Sequence, residues 1–414
     1  MSFKYIPVAS KLHDAQKVST ALDGCEKALA GIGGKRIDGA VADREELAFY
    51  FIQTGGVEQD VIRRYRSRAQ QGKAGPVLLI AHPVHNSLPA ALEILAQVQQ
   101  ENGTGRIYLL HGPDDAQTLA EIDQTARCLH ANRKLAEDRL GLVGASSDWL
   151  VASSHRPEIL ANRLGLRVVP LSVEDLRAQI ARDPLPADGP EFEMWNQAAG
   201  KEGVTRTAFS RAVGVYRGLK EMARLNRLSA LTIRCFDLVV QDGTTGCLAL
   251  SRLADEGITA GCEGDMPSVV MLRWLWHLTG KPGWMANPSD VDVRKGELLL
   301  AHCTVPLNLT SSHRLKTHFE SGKGVGIDGS IPAGSVTLLR LGGAQLDRWW
   351  GAEGVLTENR HQDDLCRTQV KVRISPSAAG ELLEAPLGNH LVLVPGHVKA
   401  LFREAFELSA AVRA

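Results

Sequence analysis

The sequence lacks several features that would assign a protein directly to a structural class or a cellular compartment. Its seven cysteines form no Cys-x-x-Cys pair, and their odd, scattered distribution argues against a disulfide framework and against a structural zinc knuckle. No apolar run approaches the roughly 20 residues that a membrane helix needs. The start of the chain shows no cationic segment followed by an apolar one, so no signal peptide is predicted. We therefore expect a cytoplasmic protein with reduced thiols and no membrane partner.

An excess of charge of either sign is also missing. Lys+Arg and Asp+Glu number 47 each, so no net field would draw the protein to nucleic acid, and small polar ligands are the expected partners. The sequence contains no His-Glu-x-x-His, Gly-x-Ser-x-Gly or Walker motif, which removes the signatures of zinc hydrolases, serine hydrolases and P-loop proteins. The glycine-rich segment 321–329 lies between strand-like runs, which favours a turn over a phosphate-binding loop.

The pattern of apolar runs predicts an α/β protein with two open parallel-sheet (Rossmann-like) domains, a β-rich C-terminal domain and a terminal helix. Residues 75–83 are a continuous apolar run bounded by Gly and Pro, as in a buried parallel strand, and a helical pattern and another strand follow. A second α/β region begins at residue 139, and from residue 296 short strand-like runs alternate with turn residues. The predicted boundaries are 1–138, 139–295, 296–397 and, for a helix packing back on the α/β part, 398–414.

Three acidic residues fall at two points where strands are predicted to end. Asp237 lies in the strand-like segment 232–240, and Glu263 and Asp265 lie on a turn between a strand and a helix. Ligands gather at the carboxyl ends of strands in α/β sheets, which favours a role for these acids in binding or catalysis. Asp265 is equally well explained as the N-cap of the helix that follows, and an isolated acid such as Asp237 is more often structural.

Four histidines are further candidates. His390 precedes an apolar run and is placed to point from a strand end into a cleft, although a structural, hydrogen-bonded histidine is the simpler interpretation. His302 is embedded in a strand, which is typical of a core histidine. His82 and His85 follow a predicted strand, where they could line a ligand cleft.

Three segments together resemble the L-fucose isomerase-like family, which includes L-arabinose isomerase. They are ITAGCEGDMPSVVMLRWL, RCFDLVVQDGTTGCLALSRLADEG and GNHLVLVPGHV. The resemblance implies a divalent cation, Mn²⁺ or else Mg²⁺ or Co²⁺, held by Asp237, Asp265 and His390, with Asp242 as the alternative first acid. Oxygen ligands with one imidazole suit such ions and leave positions open for substrate oxygens.

The implied reaction is aldose–ketose isomerisation of a free hexose or deoxyhexose through an enediol, with Asp237 and Asp265 as the acid and base. Shorter members of the family include sulfoquinovose isomerases, so a sulfonated sugar is among the implied substrates. Family members are homo-oligomers with sites near subunit boundaries. The candidate substrate-binding residues are His82, His85, Trp149, Glu263, His302 and Arg156. For an anionic substituent, Arg234 and Lys323 are further candidates. A non-catalytic sugar-binding protein and a metal-dependent epimerase are the alternative functions.

Overall fold

The computed structural model describes residues 2–37, 48–71, 75–182 and 188–409. The chain divides into two compact units, the first made of residues 1–134 and 401–414 and the second of residues 135–400. Within the described ranges, no helix combines the length and the apolar character that crossing a bilayer requires.

The first unit is a parallel sheet covered by helices. Its strands β1 to β5 are Phe3–Val8, Gly34–Arg36, Phe49–Ile52, Val77–Ala81 and Gly105–Leu109, in the order β2-β1-β3-β4-β5. Helices α1 to α4 are Ala15–Gly31, Glu58–Gln70, Ser87–Gln100 and Ala116–Glu137. Every residue of β3 and β4 is buried, because alternate side chains enter the two separate cores on either face of the sheet. The predicted buried strand within 75–83 is thus confirmed.

A second, smaller parallel sheet opens the second unit. Strands β6 to β10 are Arg139–Val143, Arg167–Leu171, Lys201–Glu202, Ala230–Ile233 and Thr259–Cys262. Four of them form a parallel sheet in the order β10-β9-β6-β7. Helices α5 to α10 are Pro157–Leu164, Val173–Arg182, Glu193–Gln197, Arg206–Asn226, Cys247–Asp255 and Met266–Thr279. Both predicted parallel sheets are therefore present.

The remainder of the second unit is dominated by a closed antiparallel barrel. Strands β11 to β18 are Trp284–Asp292, Glu297–His302, Ser312–Lys316, Gly326–Ser330, Gly334–Gly342, Arg348–Arg360, Thr368–Arg373 and Leu391–Pro395. The barrel order is β11-β12-β17-β16-β15-β18, while β14, β13 and β8 form a small separate sheet. Helix α11 is Pro376–Glu384. The terminal helix, Lys399–Leu408, places Ala405 in the first unit, where Asn132 Nδ2 donates to its carbonyl oxygen at 2.8 Å.

Two elements differ from the prediction. The barrel begins at Trp284 rather than near residue 296, because the turn-like residues Asn287 and Pro288 lie inside β11 next to a register shift. Strand β9 ends at Ile233, so Asp237 is not in a strand. It instead precedes a π-helical turn, Leu238–Asp242, whose buried Leu238 and Val239 account for the strand-like apolar pattern.

Helix α10 connects the parallel sheet of the second unit to the barrel. It follows β10 in the chain and packs against β15 and β18 of the barrel. The N-terminus of α10 therefore meets side chains from both parts of this unit, and Glu263 and Asp265 lie at or just before that terminus.

Candidate active site

A cavity of about 420 Å³ lies within the second unit, beside the ends of β9, β10 and β12. This volume is in the lower part of the range for small-molecule pockets, roughly 300–1,000 Å³. Its lining combines carboxylates, imidazoles, amides, thiols and aromatic rings. These are Glu263, Glu320, His302, His318, Asn287, Asn389, Cys235, Cys247, Cys262, Cys303, Cys366, Trp149, Phe236 and Phe319.

Asp265 is fully buried at the start of α10 and is its N-cap, as the sequence allowed. One carboxylate oxygen accepts from Ser268 N at 2.9 Å, and the other accepts from Ser268 Oγ at 2.9 Å. That second oxygen also accepts from Arg340 Nη1 at 2.9 Å. Burial alone would raise the pKa of Asp265, but the Arg340 charge and a hydrogen bond with His390 hold that pKa well below its usual range.

Arg340 is the partner that the sequence analysis missed. It lies on β15, is 1% exposed, and donates from Nη2 to Ser153 Oγ at 2.6 Å and from Nε to Leu387 O at 3.3 Å. A buried guanidinium needs such a set of acceptors to offset the cost of its desolvation. The available signal was a single cation in the otherwise apolar run GSVTLLRLGG.

His390 links Asp265 to Glu263. Its Nδ1 lies 2.8 Å from the Asp265 carboxylate, and its Nε2 is buried without a hydrogen-bond partner, 3.7 Å from Glu263 Oε1. Burial would lower the pKa of His390, but the hydrogen bond with Asp265 and the nearby negative charge of Glu263 raise it to about 9. Since a carboxylate can only accept, Nδ1 is assigned a hydrogen; with a pKa of about 9, Nε2 also carries a proton at neutral pH, which a bound cation would displace.

Glu263 lines the cavity and has an uncommon left-handed backbone conformation. Its φ is +63° and that of Gly264 is +73°, so two left-handed residues connect β10 to α10. Trp149 Nε1 donates to Glu263 Oε2 at 2.6 Å. Burial would raise the pKa of Glu263, but the positive charge of His390 and the hydrogen bond from Trp149 lower it. The carboxylate is therefore ionised at neutral pH.

His302 lies at the end of β12 and forms part of the same cluster. Its Nδ1 lies 2.9 Å from Thr304 Oγ1, and its ring lies 5.4 Å from that of His390 in an edge-on arrangement. Burial and the His390 charge lower the pKa of His302 to about 4, so its imidazole is neutral at pH 7. Donor atoms of Cys262, Glu263 and His302 all lie within 4.8 Å of one another.

The two alternatives for the first acid lie in other surroundings. Asp237 accepts from Arg234 Nε at 3.2 Å and its side chain is 32% exposed. Asp242 accepts from Arg177 Nε at 3.0 and 3.1 Å and from Arg177 Nη2 at 3.0 Å. Neither acid is among the residues lining the cavity. The structure thus brings Asp265 and His390 together, whereas Asp237 and Asp242 are paired with arginines.

The proposed substrate contacts are distributed over both units. Trp149, Glu263 and His302 line the cavity, whereas Arg156 is an exposed residue at the start of α5. His82 and His85 lie in the first unit, with their rings 6.2 Å apart, and His82 Nε2 lies 3.1 Å from Gln53 O. A role of these two histidines in substrate binding therefore stays a prediction.

The proposed anion contacts also differ from each other. Arg234 is paired with Asp148 and Asp237, and Lys323 Nζ donates to Val239 O at 3.4 Å. Val239 itself lines the cavity, so Lys323 contacts a residue of the cavity wall.

No protein-family profile matches the chain, but it is similar to proteins named sulfoquinovose isomerase. It is 22% identical over 255 residues to the sulfoquinovose isomerase of Alkalicoccus urumqiensis, a match that covers 60% of this chain and 57% of that protein. It is 27% identical over 150 residues to the sulfoquinovose isomerase of Clostridium sp. (strain MSTE9), covering 33% and 31%. Each match spans less than two thirds of the relative's length.

Proposed function

We propose that this chain is an aldose–ketose isomerase that uses a divalent metal ion and acts on a free sugar in the cavity of the second unit. The two relatives named sulfoquinovose isomerase support the reaction class. The observation that supports the site is the buried Nε2 of His390, which has no hydrogen-bond partner and lies 3.7 Å from Glu263 Oε1. Glu263 in turn belongs, with Cys262 and His302, to a group whose donor atoms lie within 4.8 Å of one another.

The residues present fit a divalent cation better at Glu263, His302 and His390 than at Asp237, Asp265 and His390. The oxygens of Asp265 already accept from Ser268 and from the cationic Arg340, which would repel a second cation. Nε2 of His390 and Oε1 of Glu263, by contrast, face each other at 3.7 Å. One carboxylate and two imidazoles form a donor set that Mn²⁺, Co²⁺ and Zn²⁺ accept in proteins.

In this proposal Asp265 is a positioning residue rather than a ligand. Its carboxylate fixes the orientation and the tautomer of His390, and Arg340 keeps that carboxylate ionised. Carboxylates behind a metal-binding histidine commonly have this role, and their loss costs about 10–100-fold in metal affinity or activity.

The proton transfer is assigned to Glu263. Isomerisation removes a proton from C2 of the aldose and returns it to C1, while the hydroxyl proton at O2 is lost and one is gained at O1. The ionised Glu263 carboxylate at the cavity wall accepts the carbon-bound proton and delivers it back. A bound divalent cation supplies polarisation of the carbonyl and of its neighbouring hydroxyl.

The test is an assay of aldoses, including sulfoquinovose, fucose and arabinose, with Mn²⁺ in D₂O, followed by NMR. We expect a ketose with deuterium at the exchanged carbon and loss of turnover with EDTA. An inverted aldose would identify an epimerase instead. Sugar binding that EDTA leaves intact, without any new sugar, would identify a binding protein and contradict the proposal.

The sulfonated sugar is the substrate that the names of the relatives support, since both carry it. Turnover of sulfoquinovose but not of fucose or arabinose is the result expected for this substrate. Turnover of the neutral sugars alone would retain the reaction and reject the sulfonate.

A further inference from the structure

Cys262 places a sulfur atom in the proposed metal centre. It is the last residue of β10, is 4% exposed and lines the cavity. Its Sγ belongs to the group whose donor atoms lie within 4.8 Å of one another, together with an oxygen of Glu263 and a ring nitrogen of His302. A single ion between these three residues would therefore meet sulfur as well as oxygen and nitrogen.

We propose that Cys262 Sγ is a metal ligand, so that the centre takes a cation that accepts thiolate, Co²⁺ or Zn²⁺, in preference to Mn²⁺ or Mg²⁺. This inference rests on the proposed function, because it concerns the same ion. Thiolate and imidazole select Zn²⁺ and its neighbours, whereas Mg²⁺ and Mn²⁺ prefer sites built from oxygen.

The charges of the group are consistent with a divalent ion. On binding, the S–H bond of Cys262 breaks, its proton passes to solvent, and a sulfur–metal bond forms without any change of oxidation state. The thiolate and the Glu263 carboxylate then carry two negative charges against two positive ones. His390 would likewise release its Nε2 proton to solvent on binding, so that the imidazoles of His302 and His390 add donor atoms without adding charge. A neutral centre suits its buried surroundings.

Cys235 offers a matched control for the sulfur. Its Sγ lies 2.9 Å from Cys262 Sγ, it is also buried, and it lines the same cavity. It follows β9, the strand paired with β10, and it is not a member of the group formed by Cys262, Glu263 and His302. Two neighbouring thiols thus differ in their position relative to the proposed ion.

The experiment is a Co²⁺ titration of the full chain after removal of bound metal with EDTA, followed by absorption spectroscopy and calorimetry. We expect one Co²⁺ per chain and a near-ultraviolet sulfur-to-cobalt charge-transfer band in the unmodified protein. Cys262→Ser should lose the band and bind Co²⁺ more weakly by at least about 10–100-fold, the loss typical of outer-shell changes. Cys235→Ser should keep the band.

The outcomes separate the two proposals. Co²⁺ binding without the band in the unmodified protein, or a band that survives Cys262→Ser, overturns the thiolate ligand and leaves the isomerase proposal standing. No Co²⁺ or Mn²⁺ binding to the unmodified protein, together with turnover that EDTA does not affect, overturns the metal centre itself. Where Cys262→Ser fails to fold, absence of the band in the unmodified protein still overturns the thiolate ligand, and loss of the band in Cys235→Ser overturns its assignment to Cys262.

Discussion

Strands β9 and β10 are neighbours in one parallel sheet, yet the turns that follow them have different chemistry. After β9 the chain enters a π-helical turn, and Asp237 pairs with Arg234 near the surface. After β10 the chain passes through two left-handed residues, and Asp265 pairs with Arg340 where neither side chain exceeds 1% exposure. Both turns carry an acid and a cysteine, so residue type alone does not distinguish them. Burial and the choice of partners do.

The largest expected difference between the two turns is the loss of turnover when the acid of each turn is replaced. Glu263→Gln removes the carboxylate that we assign to proton transfer, so isomerase turnover should fall by roughly 10²–10⁴-fold. Asp237→Asn is the matched control in the other turn and should leave turnover within a few-fold of the unmodified protein. Turnover of both variants is measured by ketose formation. Loss of activity in Asp237→Asn with retention in Glu263→Gln would reverse the assignment of the two turns.

The next effect concerns stability. Arg340→Met leaves the buried Asp265 carboxylate without its cation, and breaking a buried pair in this way costs about 3–5 kcal/mol. Arg234→Met breaks the exposed pairs with Asp148 and Asp237, where the expected cost is about 0–1 kcal/mol.

Urea denaturation followed by circular dichroism would measure both free energies of unfolding. Equal costs for the two arginine variants would show that burial does not separate the two ion pairs.

The pH dependence of stability follows from His390. Its pKa is raised to about 9, so the folded state binds its proton more tightly than the unfolded chain, whose histidines titrate near 6.5. The resulting stabilisation is complete below about pH 6.5 and is lost as the pH rises through 9; it is on the order of 3 kcal/mol. We expect the EDTA-treated protein to lose stability over this window in thermal denaturation.

His390→Gln is the control for that pH dependence. The variant lacks the titrating imidazole and should show a flatter stability profile between pH 6.5 and 9. An identical slope in the variant and in the unmodified protein would assign the pH dependence to other groups.

Much of the α/β framework follows from the sequence because local patterns encode it. A continuous apolar run marked β4, and a strand was also predicted before the turn that carries Glu263, where β10 lies. Asp265 followed by Met266 and Pro267 marked the start of α10. The partners of Asp265 could not be found in this way. Arg340 and His390 are separated from it by 75 and 125 residues, and the closed barrel alone brings them to α10.

At Asp237 the local sequence pattern itself was misleading. The apolar residues Leu238 and Val239 look like part of a strand, but they are buried in a π-helical turn, so the predicted strand end was misplaced. A periodicity that covers only a few residues does not separate a short strand from a buried turn. The resemblance to L-fucose isomerases, the Mn²⁺ ion and the oligomer stay predictions.

The smallest effect compares one glycine from each turn. Gly243 ends the turn after β9 with φ +62°, and a Cβ there would lie 4.0 Å from Arg211 Nη1, so Gly243→Ala should cost only the left-handed conformation, about 1–2 kcal/mol. Gly264 has φ +73°, but a Cβ would lie 2.4 Å from Ala145 O and 2.5 Å from Ser146 Cα, so the backbone itself must move. Gly264→Ala should therefore lower the free energy of unfolding in urea by roughly 1–3 kcal/mol more than Gly243→Ala, the usual cost of overpacking.

Because the shift would displace Glu263, turnover should fall in Gly264→Ala and not in Gly243→Ala. Equal losses of stability and activity in the two variants would mean that the turn after β10 is no more tightly constrained than its neighbour.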